Sequence, residues 1–235
     1  MLLNRRQSIG QLVTLAGIAT AGTVQAQQSC AVFTKETLAG LSPDDALQRL
    51  KDGNARFVAG KTVNCDLLKQ VRDTATGQAP FAAVVGCMDS RVPPELVFDQ
   101  RIGDIFSARI AGNFVNTDII GSLEYATAAV GSKLIVILGH SDCGAIKGTV
   151  DNVKLGNLTA TLANIRPSLD KLNYQGVPSS KDKALVQKVA DQNARDAAAA
   201  ILTRSDVIAQ QVRDGKVKIV SAMHDVATGQ ISWFA

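Results

Sequence analysis

Two cysteines and a histidine stand out in this chain for the chemistry that their types and spacing permit. Cys87 lies in Gly86-Cys87-Met88-Asp89-Ser90-Arg91, and farther along the chain His140-Ser141-Asp142-Cys143 joins an imidazole to a second thiol at His-x-x-Cys spacing. Two thiolates and one imidazole suit Zn²⁺, a borderline-soft ion that accepts both sulfur and nitrogen. Three protein ligands leave one of four tetrahedral positions free, and a free position means catalysis at the metal. Each residue also has a plainer reading, since cysteine is a common core residue and a histidine after a strand is often only a satisfied polar group. Asp89 and Arg91 fall on the same side of an extended turn beside the first thiol, where a guanidinium and a carboxylate can pair through two hydrogen bonds. A structural salt bridge is the alternative for that pair.

The elements that must position these groups are legible on either side of them. Each half follows an apolar run, Phe81 to Val85 and Leu134 to Leu138, so both sit where buried parallel strands end and polar loops begin. Open α/β sheets place their active sites there. Strands are expected at Phe81–Cys87, Ile105–Ile110, Leu134–Gly139 and Val217–Met223, with helical patterns near 117–130, 157–173 and 182–213. Strands alternating with helices argue an α/β fold: a central, mainly parallel sheet of four strands plus a possible edge strand, flanked by helices. Ser42-Pro43-Asp44-Asp45 opens an amino-terminal helix, with Ser42 as cap, Pro43 at the first helical position and acids complementing the dipole. Ala46, Leu47, Leu50 and Phe57 give it an apolar stripe. Residues 174–180 are the clearest loop, and one hinge does not make a second domain.

The chain has 235 residues, 46% of them hydrophobic, enough for one well-buried domain. Its formal charge is +4, of which two units come from Arg5 and Arg6, leaving +2 for the rest. That is no nucleic-acid footprint, and aromatics at 4% offer few stacking platforms for single strands. Residues 1–26 read as an export signal: the paired arginines, an apolar stretch from Ile9 to Val24, and Val24-Gln25-Ala26 as the cleavage site. The paired arginines point to the twin-arginine route. The stretch is short for a membrane span of about 20 residues and is followed by Gln27 and Gln28, so no stable membrane anchor is expected. The expectation is a single mature domain over 27–235 in the periplasm or secreted.

Beyond the site itself, Cys-x-Asp-Ser-Arg followed by His-x-x-Cys-Gly resembles the β-class carbonic anhydrases. Gly53-Asn54-x-Arg56-Phe57, Arg109-x-Ala111-Gly112-Asn113 and Leu123-Glu124-Tyr125 extend the likeness over residues 42–230. The resemblance implies one zinc per chain on Cys87, His140 and Cys143. It implies further that Asp89 accepts a hydrogen bond from zinc-bound water while Arg91 keeps that carboxylate off the metal, with Asp89 as a conditional fourth ligand. The reaction implied is reversible hydration of carbon dioxide to bicarbonate by zinc-bound hydroxide. Gln78, Phe106, Ala111 and Tyr125 match substrate-pocket positions of the plant-like, open-site subgroup, some of them contributed across a dimer. Val84 stands where the allosteric subgroup has tryptophan. In the family it resembles, the amino-terminal helical arm packs on a neighbouring subunit, which implies a homodimer or a higher even oligomer. Hydrolysis of carbonyl sulfide or carbon disulfide, or a non-catalytic zinc or bicarbonate site, are the alternatives. With two cysteines assigned to zinc, Cys30 and Cys65 remain, either as a disulfide favoured by an oxidising compartment or as two unrelated thiols.

Overall fold

The apolar runs that end at Cys87 and His140 become the two central strands of one sheet. The computed structural model describes residues 30–234; the export segment expected over 1–26 lies outside the described residues. In chain order the elements are α1 (Lys35–Ala39), α2 (Pro43–Val58), α3 (Leu67–Thr74), β1 (Ala82–Gly86), α4 (Pro94–Val97), β2 (Ile105–Arg109) and α5 (Thr117–Glu124). A π-helical turn at Tyr125–Val130 prolongs α5, and β3 (Leu134–His140), α6 (Gly144–Val150), α7 (Gly156–Ala163) and α8 (Arg166–Asp170) follow. The chain continues through α9 (Lys183–Arg204), α10 (Asp206–Arg213), β4 (Lys218–His224) and β5 (Ile231–Trp233).

The sheet order is β2-β1-β3-β4-β5. The first four strands are parallel and β5 is antiparallel to β4, so β5 is the edge strand left open by the sequence. Every residue of β1 and β3 is buried, as expected where helices cover both faces of a parallel sheet. Side chains alternate between the faces. Val84, Leu134, Val136 and Leu138 join Leu50 and Phe98 in one apolar cluster, while Val85, Ile135 and Ile137 join Leu123 and Ile201 in another. Such an arrangement fixes strand register, because a shift by one residue would exchange the two sets.

Two expected long helices are each broken in two. The pattern near 157–173 divides between α7 and α8, with Pro167 in the first turn of α8. The pattern over 182–213 breaks at Ser205, whose extended backbone ends α9 and whose side chain caps α10 by accepting from the Ile208 N–H. Ser205 also donates to Glu124 at 2.6 Å, which ties the break to α5. Helix α3 carries no apolar stripe facing the core: Leu67, Leu68 and Val71 are exposed, and Asp66 caps it.

Helix α2 starts as its sequence predicts, with Ser42 capping and Pro43 in the first turn. Its Ala46 and Leu50 are fully buried in this chain's own core. The Gly53-Asn54-x-Arg56 segment has a packing reason. A Cβ on Gly53 would lie 1.8 Å from the Phe98 carbonyl oxygen, so only glycine lets α2 approach the end of α4 this closely. Asn54, buried, donates to the carbonyls of Val97 and Gly229 at 2.9 Å each and accepts from the Ile231 N–H at 3.0 Å. Arg56 pairs with buried Asp99 at 2.5 Å. Gly53→Ala is expected to lower stability by about 1–3 kcal/mol or more through overpacking, read as a lower urea midpoint; an unchanged midpoint would contradict this packing.

Candidate metal centre

Cys87 directly follows β1, His140 ends β3, and Cys143 caps the short helix α6. Because β1 and β3 are neighbours in register, Gly86 facing Leu138, their carboxyl ends bring the three residues together. One ligand atom from each lies within 4.8 Å of the others, and all three residues are buried. The two sulfurs are 3.9 Å apart. His140 Nδ1 is 2.9 Å from the Ser141 carbonyl oxygen, a contact that places the ring proton on Nδ1 and leaves the Nε2 lone pair available. That Nε2 is buried and has no hydrogen-bond partner.

The charge balance of this cluster points to a cation. The Cys87 thiol is held down to about 4, chiefly because the Cys143 thiol donates to it, against the opposing cost of burial and with help from His140 and the Gly112 N–H. Cys143 is pushed up instead, by that same hydrogen bond to Cys87, by burial and by the adjacent negative charge. Two buried thiolates at this separation repel each other, so the protein alone supports one. A divalent ion removes that penalty and lets both ionise, and the orphaned imidazole nitrogen supplies the third donor. The residues therefore fit zinc.

Around the donors runs a ring of hydrogen bonds. Arg91 grips the Asp89 carboxylate with two parallel bonds, Nε to Oδ1 at 2.9 Å and an η-nitrogen to Oδ2 at 2.8 Å, and its backbone N–H donates to Oδ1 at 3.0 Å. This guanidinium, opposed by partial burial, holds the Asp89 carboxyl well below the usual carboxylate range. Asp89 Oδ2 is 3.9 Å from His140 Nε2, beside the cluster but turned toward Arg91. Arg109 donates to the carbonyls of Cys87, at 3.0 Å, and of Asp89. The Gly112 N–H donates to Cys87 Sγ at 3.3 Å, and Asn193 of α9 donates to the Gly112 carbonyl at 2.7 Å.

The family model for carbonic anhydrase matches residues 82–231. A carbonic anhydrase of Mycolicibacterium smegmatis is 35% identical over 192 residues, covering 81% of this chain and 92% of that protein. The chain belongs to the β-class carbonic anhydrase family. Carbonic anhydrase 2 of Mycobacterium tuberculosis is 31% identical over 191 residues, covering 80% and 91% of the two chains. Among solved structures, a tetrameric β-carbonic anhydrase of Sordaria macrospora superimposes with a TM-score of 0.61 at 25% identity, covering 71% of this chain and 90% of that one.

The four residues expected to line the substrate pocket of this carbonic anhydrase are not brought together within one chain. Ala111 sits next to Gly112 and so near Cys87. Phe106 and Tyr125 pair with ring centroids 6.1 Å apart, but Phe106 is level with Ala83 in the register, not with Gly86. Gln78 is exposed and precedes β1, whereas Cys87 follows it. At about 3.3 Å per residue, the strand alone keeps Gln78 on the opposite end of the sheet from its own Cys87.

Three contributors went unread in the sequence. Arg109 and Gly112 fall within Arg109-x-Ala111-Gly112-Asn113, where residue type does not reveal their contacts, and Asn193 sits in a long helix whose pattern gives no hint of the loop it reaches. His224 is buried as the register partner of His140, with neither ring nitrogen hydrogen-bonded. Burial, and then the nearby His140, lower its pKa. Cys30 and Cys65 are each disulfide-bonded, while Cys87 and Cys143 are free.

Gly112 is the most exacting backbone position here. Its φ is +85°, and an added Cβ would lie 2.3 Å from Ile165 Cδ1. Gly112→Ala is expected to displace the N–H from Cys87 Sγ and weaken zinc binding by about 10- to 100-fold, in line with other changes behind metal ligands. Competition with a colorimetric chelator reads this directly, and parent-like affinity would count against it.

Proposed function

We propose that this β-class carbonic anhydrase hydrates carbon dioxide reversibly to bicarbonate and a proton at one zinc ion per chain, held by Cys87, His140 and Cys143. The observation that carries the reading is a Cys-His-Cys cluster that would hold zinc, beside a carboxylate already committed to an arginine and so not offered as a further ligand. Zinc bound there is a Lewis acid that makes hydroxide available near neutral pH. The protein's part is orientation. Ionised Asp89 can only accept hydrogen bonds, so an O–H near it turns its proton toward the carboxylate and a lone pair toward the substrate carbon. Arg91 holds both carboxylate oxygens and keeps Asp89 from closing the site. Hydrolysis of carbonyl sulfide or carbon disulfide on the same donors is not favoured, because the relatives matched are carbonic anhydrases.

Cys87→Ser, His140→Ala and Cys143→Ser are expected to lose zinc and hydration activity together, with lower stability, since ligation energy is also folding energy. Arg91→Ala is expected to retain zinc and lose most of its hydration rate as Asp89 turns onto the metal. Metal analysis beside stopped-flow hydration checks both, and a zinc-replete Cys143→Ser protein would overturn the ligand assignment.

The finer reading is an open-site enzyme of the plant-like kind, acting as a homodimer or a higher even oligomer. Its support is the paired state of Asp89 and Arg91, the position of Gln78 across the sheet from its own cluster, and exposed apolar side chains outside the core. Leu67, Leu96 and Ile102 line one cavity and are all exposed, the kind of surface that partner subunits cover. A second copy supplies Gln78, Phe106 and Tyr125 to each site in this reading. Leu67→Asp is expected to lower both oligomer mass in light scattering and hydration rate at constant zinc content; a monomer hydrating at the parent rate would refute the shared site.

We further infer export by the twin-arginine route, cleavage after Ala26, a mature domain over 27–235 in the periplasm or outside the cell, and a Cys30–Cys65 disulfide. The pairing follows because the other two cysteines are free. Intact mass and non-reducing peptide mapping of the exported protein test these points, and a chain retaining Met1 or two alkylated thiols would reject them.

A further inference from the structure

The grip of Arg91 on Asp89 has a second anchor. The same guanidinium is 3.4 Å from the Asp142 carbonyl oxygen through the η-nitrogen that also holds Asp89, and its other η-nitrogen lies 3.6 Å from Asp142 Oδ2. Asp142 is in turn paired with Lys147 of α6. Its backbone is left-handed, with φ of 57°, a conformation that asparagine and aspartate adopt more readily than other non-glycine residues. Asp142 thus stands between two cations, on the very turn that carries His140 and Cys143.

We propose that Asp142 is a positioning residue that braces Arg91 from behind and so keeps the Asp89 carboxylate turned away from the metal cluster. Arg91 is nearly half exposed whereas Asp89 is largely covered, so the guanidinium is the freer partner of the pair. Left with Asp89 alone, Arg91 could follow its carboxylate or release it. The Asp142 carbonyl and carboxylate occupy the remaining edge of the guanidinium and fix its plane, and with it the plane of the fork that grips Asp89. Lys147 holds the half-exposed Asp142 carboxylate in place by pairing with its other oxygen, Oδ1. The brace belongs to the loop between His140 and Cys143, so the turn that delivers two donors also sets how open the fourth position stays.

The proposal rests on the open-site reading above, and its test separates the two. Asp142→Asn retains the backbone carbonyl and tolerance of the left-handed turn while removing the charge. Crystal structures of the zinc-loaded parent and variant at neutral pH, zinc content, and stopped-flow hydration across pH are the measurements. The expected result is unchanged zinc content, an Asp89 oxygen on the metal in the variant, a fall in kcat of about tenfold near neutral pH, and a pH profile displaced upward, because hydroxide then competes with the carboxylate for the metal. Lys147→Met should move the same observables in the same direction by less, and it decides the matter if Asp142→Asn does not fold. A variant with an open metal site and the parent's pH profile overturns the brace alone. A parent with Asp89 already on zinc overturns the open-site reading, and the brace with it.

Discussion

Two buried sulfurs 3.9 Å apart set the terms for the rest of this molecule. As thiols they contribute little, and as a pair of thiolates they repel at short range in a poorly solvated site. Only a cation reconciles them, and the imidazole whose Nε2 has no partner completes the demand for one. The sheet meets the geometric half of that demand. Parallel strands β1 and β3 are adjacent and in register, so their carboxyl ends deliver a cysteine and a histidine side by side, and the short turn to α6 returns the second cysteine to the same place. Antiparallel neighbours would have put those ends on opposite sides of the sheet.

Around that centre, hydrogen bonds are assigned so that few groups are left to close the site. Asp89 is the obvious competitor for the metal, and nearly every contact near it favours staying away: the bidentate Arg91, the Arg91 backbone N–H, and Arg109 fixing the Asp89 and Cys87 carbonyls. The Gly112 loop serves the opposite end by donating to Cys87 Sγ, and Asn193 holds that loop from a distant helix. These contacts converge from the loop after β1, from β2 and the loop that follows it, and from α9. Removal of any one is expected to loosen the cluster while leaving the three ligand residues in place, as for partners behind other metal sites.

The same fold keeps the four residues expected at the substrate pocket apart. Ala111 is near the cluster, but Phe106 and Tyr125 lie back along the sheet and Gln78 is at its other end. Leu67, Leu96 and Ile102 are exposed around one cavity, and the proposed oligomer would cover them. Motifs with no chemistry in them support this architecture. Gly53 and Asn54 dock α2 against the end of α4 and against β5, so this segment acts through close packing and hydrogen bonding.

What the amino-acid sequence determined by itself was the donor set and the strands that carry it. Cys87, His140 and Cys143 were recognisable because their chemistry is tied to residue type, and the strands because β-branched runs buried on both faces have no polar alternation to confuse them. The Ser42 cap and the Asp89–Arg91 pair were legible for a related reason: each depends on neighbours within a few residues. The breaks at Ser205 and near Pro167 were not, because a helix ends where tertiary partners such as Glu124 make an end worthwhile. Nor were the reach of Asn193 to Gly112, the burial of His224, or the separation of Gln78 from its own cluster. Those depend on which strands become neighbours and in which direction they run, and only the folded sheet decides that.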